Sequence, residues 1–119
     1  MGFGTFSTSI IIDCSWCIQL PKSMDIAHTA PLMTSGLSAF SFLKQLRMEK
    51  GQHLAVYGLG GIGQILAKYA AAMDIDVTVF TRHAANKRSW AEKHKFQCKD
   101  VDEIKVNHKK FDVVALCCR

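Results

Sequence analysis

Six residues, Gly58-Leu59-Gly60-Gly61-Ile62-Gly63, constrain the fold of this 119-residue chain more than any other stretch. Their spacing, G-x-G-x-x-G, is a weak signal alone and a strong one between a strand and a helix. His53–Tyr57 directly before them suits a buried parallel strand. Apolar residues then recur at helical intervals, at Ile62, Ile65, Leu66, Tyr69 and Met73. Because the apolar strand Val77–Phe80 follows, the sequence predicts a strand-turn-helix-strand unit of an α/β sheet.

The rest of the chain continues this alternation. A short helix and a longer one are predicted between Ser23 and Arg47, and a polar helix over Asn86–Lys95. Gln97–Val101 suits a short strand and Phe111–Cys117 a strongly apolar one. Strands alternating with helices imply right-handed parallel βαβ units. We therefore predict an α/β fold, a truncated Rossmann-type parallel sheet with helices on both faces.

The opening of the chain has a different character. Thr8–Asp13 is rich in β-branched residues and predicts a strand, and Ile18–Leu20 keeps that character before the breaker Pro21. We therefore divide the chain into a short β segment at residues 1–22 and a partial dinucleotide-binding domain at residues 23–119.

The glycine turn suits one kind of ligand. Gly58 can adopt the backbone of a tight turn, Gly60 leaves no Cβ between backbone and a pyrophosphate, and Gly63 lets the helix lie close to the strand. The amides at the helix start, with the positive end of the helix dipole behind them, favour phosphate. We predict that Gly58, Leu59, Gly60, Gly61, Ile62 and Gly63 hold the pyrophosphate of a dinucleotide; the alternative is a glycine turn kept only for packing.

The end of the second strand distinguishes between the two nicotinamide dinucleotides. An Asp or Glu there would bind the ribose 2′-hydroxyl of NAD, and the sequence has Thr81-Arg82-His83 instead. A hydroxyl and a guanidinium suit a 2′-phosphate, with Lys87 or Arg88 nearby in sequence. We therefore predict NADP(H) in preference to NAD(H), held at the 2′-phosphate by Thr81, Arg82 and Lys87.

Charge and composition argue against several other classes of protein. The formal net charge is +5, and the basic excess lies between Arg82 and Lys110, but no aromatic-basic platform accompanies it, so we expect no nucleic-acid partner. The strongly apolar run Ile10–Ile12 is far too short to span a membrane, and no basic segment precedes it as in a signal peptide. We expect no membrane association and a cytoplasmic location.

The five cysteines do not suggest a disulfide framework, because their number is odd and no secretory signal is present. Cys14-Ser15-Trp16-Cys17 has the spacing of a zinc half-site or a redox dithiol, but no second pair completes a tetrahedral site. We expect these two cysteines, and also Cys117 and Cys118, to be packed as small hydrophobic residues.

Longer stretches of the chain resemble a known family. "SIIIDCSWCIQLPKSM", "APLMTSGLSAFSFLK" and "KGQHLAVYGLGGIGQILAKYAAAM" are similar to segments of the zinc-type, medium-chain alcohol dehydrogenases, closest to the cinnamyl-alcohol dehydrogenase-like branch. The resemblance covers nearly the whole chain. It implies reversible hydride transfer between NADP(H) and an alcohol or aldehyde, with Ser38 near the nicotinamide end of the cofactor, and it identifies residues 1–22 as a remnant of the catalytic domain.

Two departures affect the catalytic zinc that the family uses. The family's ligand cysteine in A-P-L-x-C-A-G falls on Thr34, whose neutral hydroxyl is a poor ligand for zinc. The remaining ligands belong to a catalytic domain that would precede Gly2. We expect no zinc on this chain and assign no catalytic residue. Thr34 agrees better with the quinone and enoyl reductases, which use no zinc, than with the zinc-type enzymes. The glycine turn agrees less well with those reductases.

Three hypotheses for function follow. The first is an NADP(H)-dependent oxidoreductase of the alcohol dehydrogenase type, of which this chain is a fragment. The second is a non-catalytic NADP(H)-binding or interaction module without the zinc site, and the third is a truncated gene product. Sequence leaves the substrate and the oligomeric state open.

Overall fold

The structure is a computed structural model that describes residues 6–103 and 110–118. The helices are α1 Ile26–Pro31, α2 Leu37–Gln45, α3 Gly61–Ala72 and α4 Ala84–Lys93, and the strands are β1 His53–Tyr57, β2 Asp76–Thr81, β3 Gln97–Asp100 and β4 Val113–Leu116. A π-helical segment, Leu32–Gly36, joins α1 to α2, and single 3-10 turns cover Cys14–Trp16 and Val101–Glu103. Every helix and strand predicted between Ser23 and Cys117 is present, within a few residues of its expected bounds.

The four strands form one parallel sheet in the order β3-β2-β1-β4. The chain adds β2 and β3 successively on one side of β1 and then returns to place β4 on the other side. This order confirms the Rossmann-type prediction. The carboxyl ends of β1 and β4 therefore meet at the point where the strand order reverses, which is where α/β sheets of this kind bind ligands.

The main core lies on one face of the sheet. Side chains alternate between the two faces of a strand, and one set packs against α2, α3 and α4. This cluster includes Leu43, Leu54, Val56, Leu66, Val77, Val79, Ala91 and Ala115. The connections from β1 to β2 and from β2 to β3 are right-handed and run in the same direction across the sheet, so their helices, α3 and α4, lie on the same face of the sheet. In the described residues α2, α3 and α4 share one face; on the other, Ala55 and Phe80 are fully buried, whereas Val114 and Leu116 stay 47% and 75% exposed.

The strand predicted over Thr8–Asp13 is wrong. These residues form no strand, Ile18–Leu20 forms none either, and Ile11 is fully exposed. A strand needs the backbone groups of a neighbouring strand, and the sheet in the described residues has four members, none from this segment. Thr29 is the first buried residue in the described part of the chain, so residues 6–28 add nothing to its core.

None of the helices in the described residues has both the length and the apolar character needed to cross a membrane.

The cysteines differ from expectation. Cys14, Cys17 and Cys118 are exposed, whereas Cys98 and Cys117 are partly buried, and all five are free thiols. The prediction of packed cysteines is therefore wrong for the exposed three. The turn that contains Cys14 makes no contribution to the core, and Cys118 lies beyond the last paired residue of β4.

Burial predicts a difference in thiol reactivity. Burial raises the pKa of the Cys98 and Cys117 thiols, so in the folded protein both form the reactive thiolate only at higher pH. We expect iodoacetamide at mildly alkaline pH to label Cys118 at least about tenfold faster than its neighbour Cys117. Timed labelling followed by peptide mass spectrometry measures both rates. Equal labelling of the two thiols would contradict the burial of Cys117.

The raised pKa values also affect stability. Raising the pH past the ordinary thiol pKa is expected to lower the free energy of unfolding, because the unfolded chain releases these protons first.

Candidate dinucleotide-binding site

The glycine turn is held between the ends of three strands. Gly58 follows β1 with φ of +96°, a conformation that L side chains rarely adopt. Its amide donates a hydrogen bond of 2.8 Å to the carbonyl of Phe80 in β2. A Cβ on Gly58 would lie 2.8 Å from the Cβ of Cys118, which follows β4. Both the backbone angle and the close approach of β4 therefore require glycine at this position.

The other two motif glycines have opposite surroundings. A Cβ on Gly63 would collide with the carbonyl oxygen of Gly58, which shows that α3 lies directly against the turn. A Cβ on Gly60 would meet no heavy atom within 4 Å, and its φ of −85° is open to any residue. The space beside Gly60 is therefore free for a group from outside the protein, as the motif requires for a pyrophosphate.

The amino end of α3 has no compensating negative charge. Gly60 is the N-cap and cannot supply a side-chain cap, and the first turn of the helix has no acidic residue. The first main-chain bond of the helix is from the amide of Gln64 to the carbonyl of Gly60, at 3.0 Å. The preceding amides lie in the positions that intrahelical bonds cannot satisfy. With the positive end of the helix dipole, they suit an anion at Gly60.

A cavity of about 390 Å³ opens beside the turn, at the carboxyl ends of the strands. Such a volume lies within the usual range for small-molecule sites. The residues that line it come from the glycine turn, from the ends of the four strands and from the start of α4. They are Tyr57, Gly58, Leu59, Gly60, Phe80, Thr81, Arg82, His83, Lys87, Val101 and Cys118.

The structure brings most of the predicted binding residues together. Gly58, Leu59 and Gly60 line the cavity, and so do Thr81, Arg82 and Lys87, although more than twenty residues separate the two groups in sequence. The other three motif residues begin α3, where Gly61 and Ile62 are exposed and Gly63 is buried.

Ser38 does not join this group. It lies on α2, outside the cavity lining, and its hydroxyl donates a hydrogen bond of 3.0 Å to the carbonyl of Thr34. Its predicted place near the nicotinamide stays a prediction.

The charge of the cavity suits a phosphate next to the end of β2. Arg82 is exposed, while Thr81 is only 8% exposed and accepts a long hydrogen bond of 3.4 Å from the amide of His83. The hydroxyl proton of Thr81 therefore remains available for donation to a ligand. Asp100, the residue paired with Thr81 in β3, does not line the cavity, and its carboxylate lies 3.5 Å from the amide of Asp102.

Sequence reasoning missed five residues of the lining, Tyr57, Phe80, His83, Val101 and Cys118. The rule that ligands bind beyond the carboxyl ends of parallel strands could have identified them, because each lies within two residues of the end of a strand. His83 follows the Thr81-Arg82 end of β2 and lies at the cavity.

A larger cavity, of about 580 Å³, lies at the opposite edge of the sheet. His53, Asp76 and Gln97 line it, and each is the first residue of its strand. Of these two cavities, only the smaller one contains the glycine turn and the carboxyl ends of the strands, where α/β sheets bind ligands.

The residues present do not fit the catalytic zinc that the resemblance implies. Thr34, at the position of the ligand cysteine, is exposed in the π-helical segment and offers only a neutral hydroxyl. Within residues 6–103 and 110–118, no group of three or more His, Cys, Asp and Glu side chains is arranged to hold a metal ion.

Comparison with known proteins identifies the class of this site. Residues 34–119 match the family model described as "D-isomer specific 2-hydroxyacid dehydrogenase, NAD binding domain". This match contains the glycine turn and the whole sheet, so the chain belongs to this family of dinucleotide-binding domains.

The individual relatives that the chain resembles include alcohol dehydrogenases. NADP-dependent alcohol dehydrogenase C 1 of Mycolicibacterium smegmatis is 35% identical over 79 residues, which cover 66% of this chain and 23% of that protein. A probable cinnamyl alcohol dehydrogenase of Pinus taeda is 33% identical over 79 residues, or 66% of this chain and 22% of the relative. The structure of CAD from Helicobacter pylori complexed with NADP(H) aligns with a TM-score of 0.65 at 32% identity, over 70% of this chain and 24% of the other.

These likenesses confirm the resemblance to the zinc-type, medium-chain alcohol dehydrogenases, and with it a dinucleotide as ligand. The chain spans about a quarter of the length of the relatives it matches.

Proposed function

We propose that this chain is the NADP(H)-binding part of an oxidoreductase of the alcohol dehydrogenase type. The observation that carries the proposal is the cavity in which Gly58–Gly60 faces the Thr81-Arg82 end of β2. The pyrophosphate would lie on the turn and the amino end of α3, and the 2′-phosphate beside Thr81, Arg82 and Lys87. When bound, the dinucleotide would supply or accept a hydride.

The choice of NADP(H) over NAD(H) is part of this proposal. The matching family model is described by NAD, whereas one relative is named NADP-dependent and one related structure contains NADP(H). The cavity lining supports NADP(H), because among the described residues it contains Arg82 and Lys87 and no acidic side chain. A carboxylate there would repel a 2′-phosphate, and a guanidinium forms a charge-assisted pair with it.

Titration calorimetry of the purified chain with NADPH and then NADH tests the proposal, after a cooperative melt has shown that the sample is folded. We expect micromolar binding of NADPH, about −8 kcal/mol, and at least about tenfold weaker binding of NADH. Arg82→Ala is expected to lower the affinity for NADPH at least about tenfold and to leave the affinity for NADH unchanged, because only NADPH has the 2′-phosphate.

The control for Arg82→Ala is Lys93→Ala, which removes one positive charge at the opposite end of α4. If the pairing with phosphate is local, Lys93→Ala keeps the preference for NADPH. A folded chain that binds neither dinucleotide would refute the proposal, and equal losses for NADPH and NADH in Arg82→Ala would refute the assignment of the 2′-phosphate.

For the whole protein, we propose hydride transfer between NADP(H) and an alcohol or aldehyde. A second candidate is a non-catalytic NADP(H)-binding or interaction module. It is favoured because Thr34 stands at the position of the family's zinc-ligand cysteine, where a thiolate would be needed. The two candidates differ in turnover. NADPH-dependent reduction of an aromatic or aliphatic aldehyde by the chain, abolished by Gly60→Asp, would exclude the binding module.

We also propose that the domain boundary lies near residue 22, with residues 1–22 as the remnant of the catalytic domain. The absence of buried residues in the described segment 6–28 supports it. A cytoplasmic location stays a prediction.

A further inference from the structure

The turn Asp13–Cys17 carries two thiols and lies outside both the core and the dinucleotide cavity. The amide of Trp16 donates to the carbonyl of Asp13 at 3.1 Å, and the amide of Cys17 donates to the carbonyl of Cys14 at 2.9 Å. The carboxylate of Asp13 accepts a further hydrogen bond of 2.8 Å from the amide of Ser15. Three hydrogen bonds therefore fix the backbone between the two cysteines.

This backbone brings the cysteines within reach of each other. A turn closed by a bond between residues i and i+3 holds their Cα atoms within about 7 Å, and a disulfide accepts Cα separations up to about 6.8 Å. Cys17 directly follows the 3-10 turn as its C-cap, and its amide donates a hydrogen bond to the carbonyl of Cys14. The Sγ of Cys17 lies 4.0 Å from the carbonyl oxygen of Asp13, in the peptide group that leads into Cys14. The Cys17 thiol is therefore folded back towards Cys14.

Both thiols are open to reagents from solution. Cys14 and Cys17 are exposed, whereas Cys98 and Cys117 are partly buried. Trp16, between the two cysteines, is 82% exposed, so the turn is not covered by the rest of the described chain. Exposure and proximity together are the requirements for thiol-disulfide exchange.

We propose that Cys14 and Cys17 are a redox-active dithiol that low-molecular-weight disulfides, such as oxidised glutathione, convert to an intramolecular disulfide. In the first step one cysteine thiolate attacks the small disulfide, forms a mixed disulfide and releases one thiol. In the second step the other cysteine attacks the protein sulfur of that bond and releases the second thiol. Two protein thiols are oxidised and one small disulfide is reduced, with two protons passing from the cysteines to the released thiolates. This site is independent of the proposed dinucleotide binding.

The test equilibrates the reduced full chain in buffers of graded ratios of reduced to oxidised glutathione, followed by acid quenching and peptide mass spectrometry. The peptide containing Cys14 and Cys17 is expected to lose the mass of two hydrogens and to carry little glutathione. Cys14→Ser leaves Cys17 without a resolving partner, so it is expected to keep at least about tenfold more mixed disulfide than the wild type, given the high effective concentration of a nearby thiol. Equal glutathione on both proteins, with no intramolecular disulfide, would overturn the proposal.

A matched pair of variants tests whether the turn positions the thiols. Asp13→Ala removes the acceptor for the Ser15 amide, while Asp13→Asn keeps an oxygen in the same place. We expect Asp13→Ala to accumulate several-fold more mixed disulfide than the wild type, and Asp13→Asn to restore ring closure. The same amount of mixed disulfide in Asp13→Ala as in the wild type would overturn the positioning role of the turn.

Discussion

Replacing Gly63 by alanine is expected to lower the free energy of unfolding by about 3 kcal/mol. A Cβ at this position collides with the carbonyl oxygen of Gly58, and it would also lie 3.4 Å from the Cβ of Cys117. The first of these neighbours is backbone and cannot turn aside as a flexible side chain could. Relief therefore requires α3 to move away from β1, which breaks the packing of Leu66 and Ala67 in the core. Urea denaturation followed by far-ultraviolet circular dichroism measures the change.

The same substitution two residues earlier is the control. A Cβ on Gly61 meets no heavy atom within 4 Å, and Gly61 is the first residue of the same helix. Because alanine favours helix more than glycine, Gly61→Ala is expected to raise stability, by less than about 1 kcal/mol. The changes in the free energy of unfolding of the two alanine variants should thus have opposite signs. A Gly63→Ala protein as stable as the wild type would show that α3 does not lie against the turn.

Replacing Gly60 by aspartate is expected to weaken NADPH binding by at least about a hundredfold while the fold persists. Gly60 is the N-cap of α3 and has extended backbone angles, with φ of −85° and ψ of −164°. Aspartate is a favoured N-cap, so the free energy of unfolding should stay within about 0.5 kcal/mol of the wild type. Its carboxylate would occupy the open space proposed for the pyrophosphate and repel it. Calorimetric titration and urea denaturation of one sample measure both quantities.

The variant Gly60→Asn separates charge from size. Asparagine caps helices about as well as aspartate and has nearly the same shape, but it is neutral. We expect it to bind NADPH less tightly than the wild type and at least about tenfold more tightly than Gly60→Asp. Unchanged NADPH binding in both variants would place the pyrophosphate elsewhere than the glycine turn.

Much of the domain could be predicted because its signals are local. The strand His53–Tyr57 was predicted with the bounds that the structure has, and the glycine spacing between strand and helix identified the turn. The Thr81-Arg82 end of β2 was recognised for the same reason, since the strand predicts where the chain leaves the sheet. In each case a few consecutive residues contain the whole pattern.

The opening segment shows where local signals fail. Ile10, Ile11 and Ile12 have high β propensity, and in the structure they are exposed and unpaired. Propensity describes how well a residue fits a sheet surface, and a strand exists only where another strand supplies its hydrogen-bond partners. The same limit applies to Cys14 and Cys17, which hydrophobicity alone placed in a core that this segment does not join.

Local patterns were enough to predict the class of fold, the position of the glycine turn and the lack of an acidic residue directly after β2. Three features became known only from the folded arrangement: Val101 and Cys118 join the turn in one cavity, α2, α3 and α4 share one face, and Gly60 opens outward while Gly63 is closed. The difference between the two sets is distance along the chain. Angles and helical periods act between near neighbours, whereas a cavity forms where the ends of separate strands meet, and that meeting depends on the sheet as a whole.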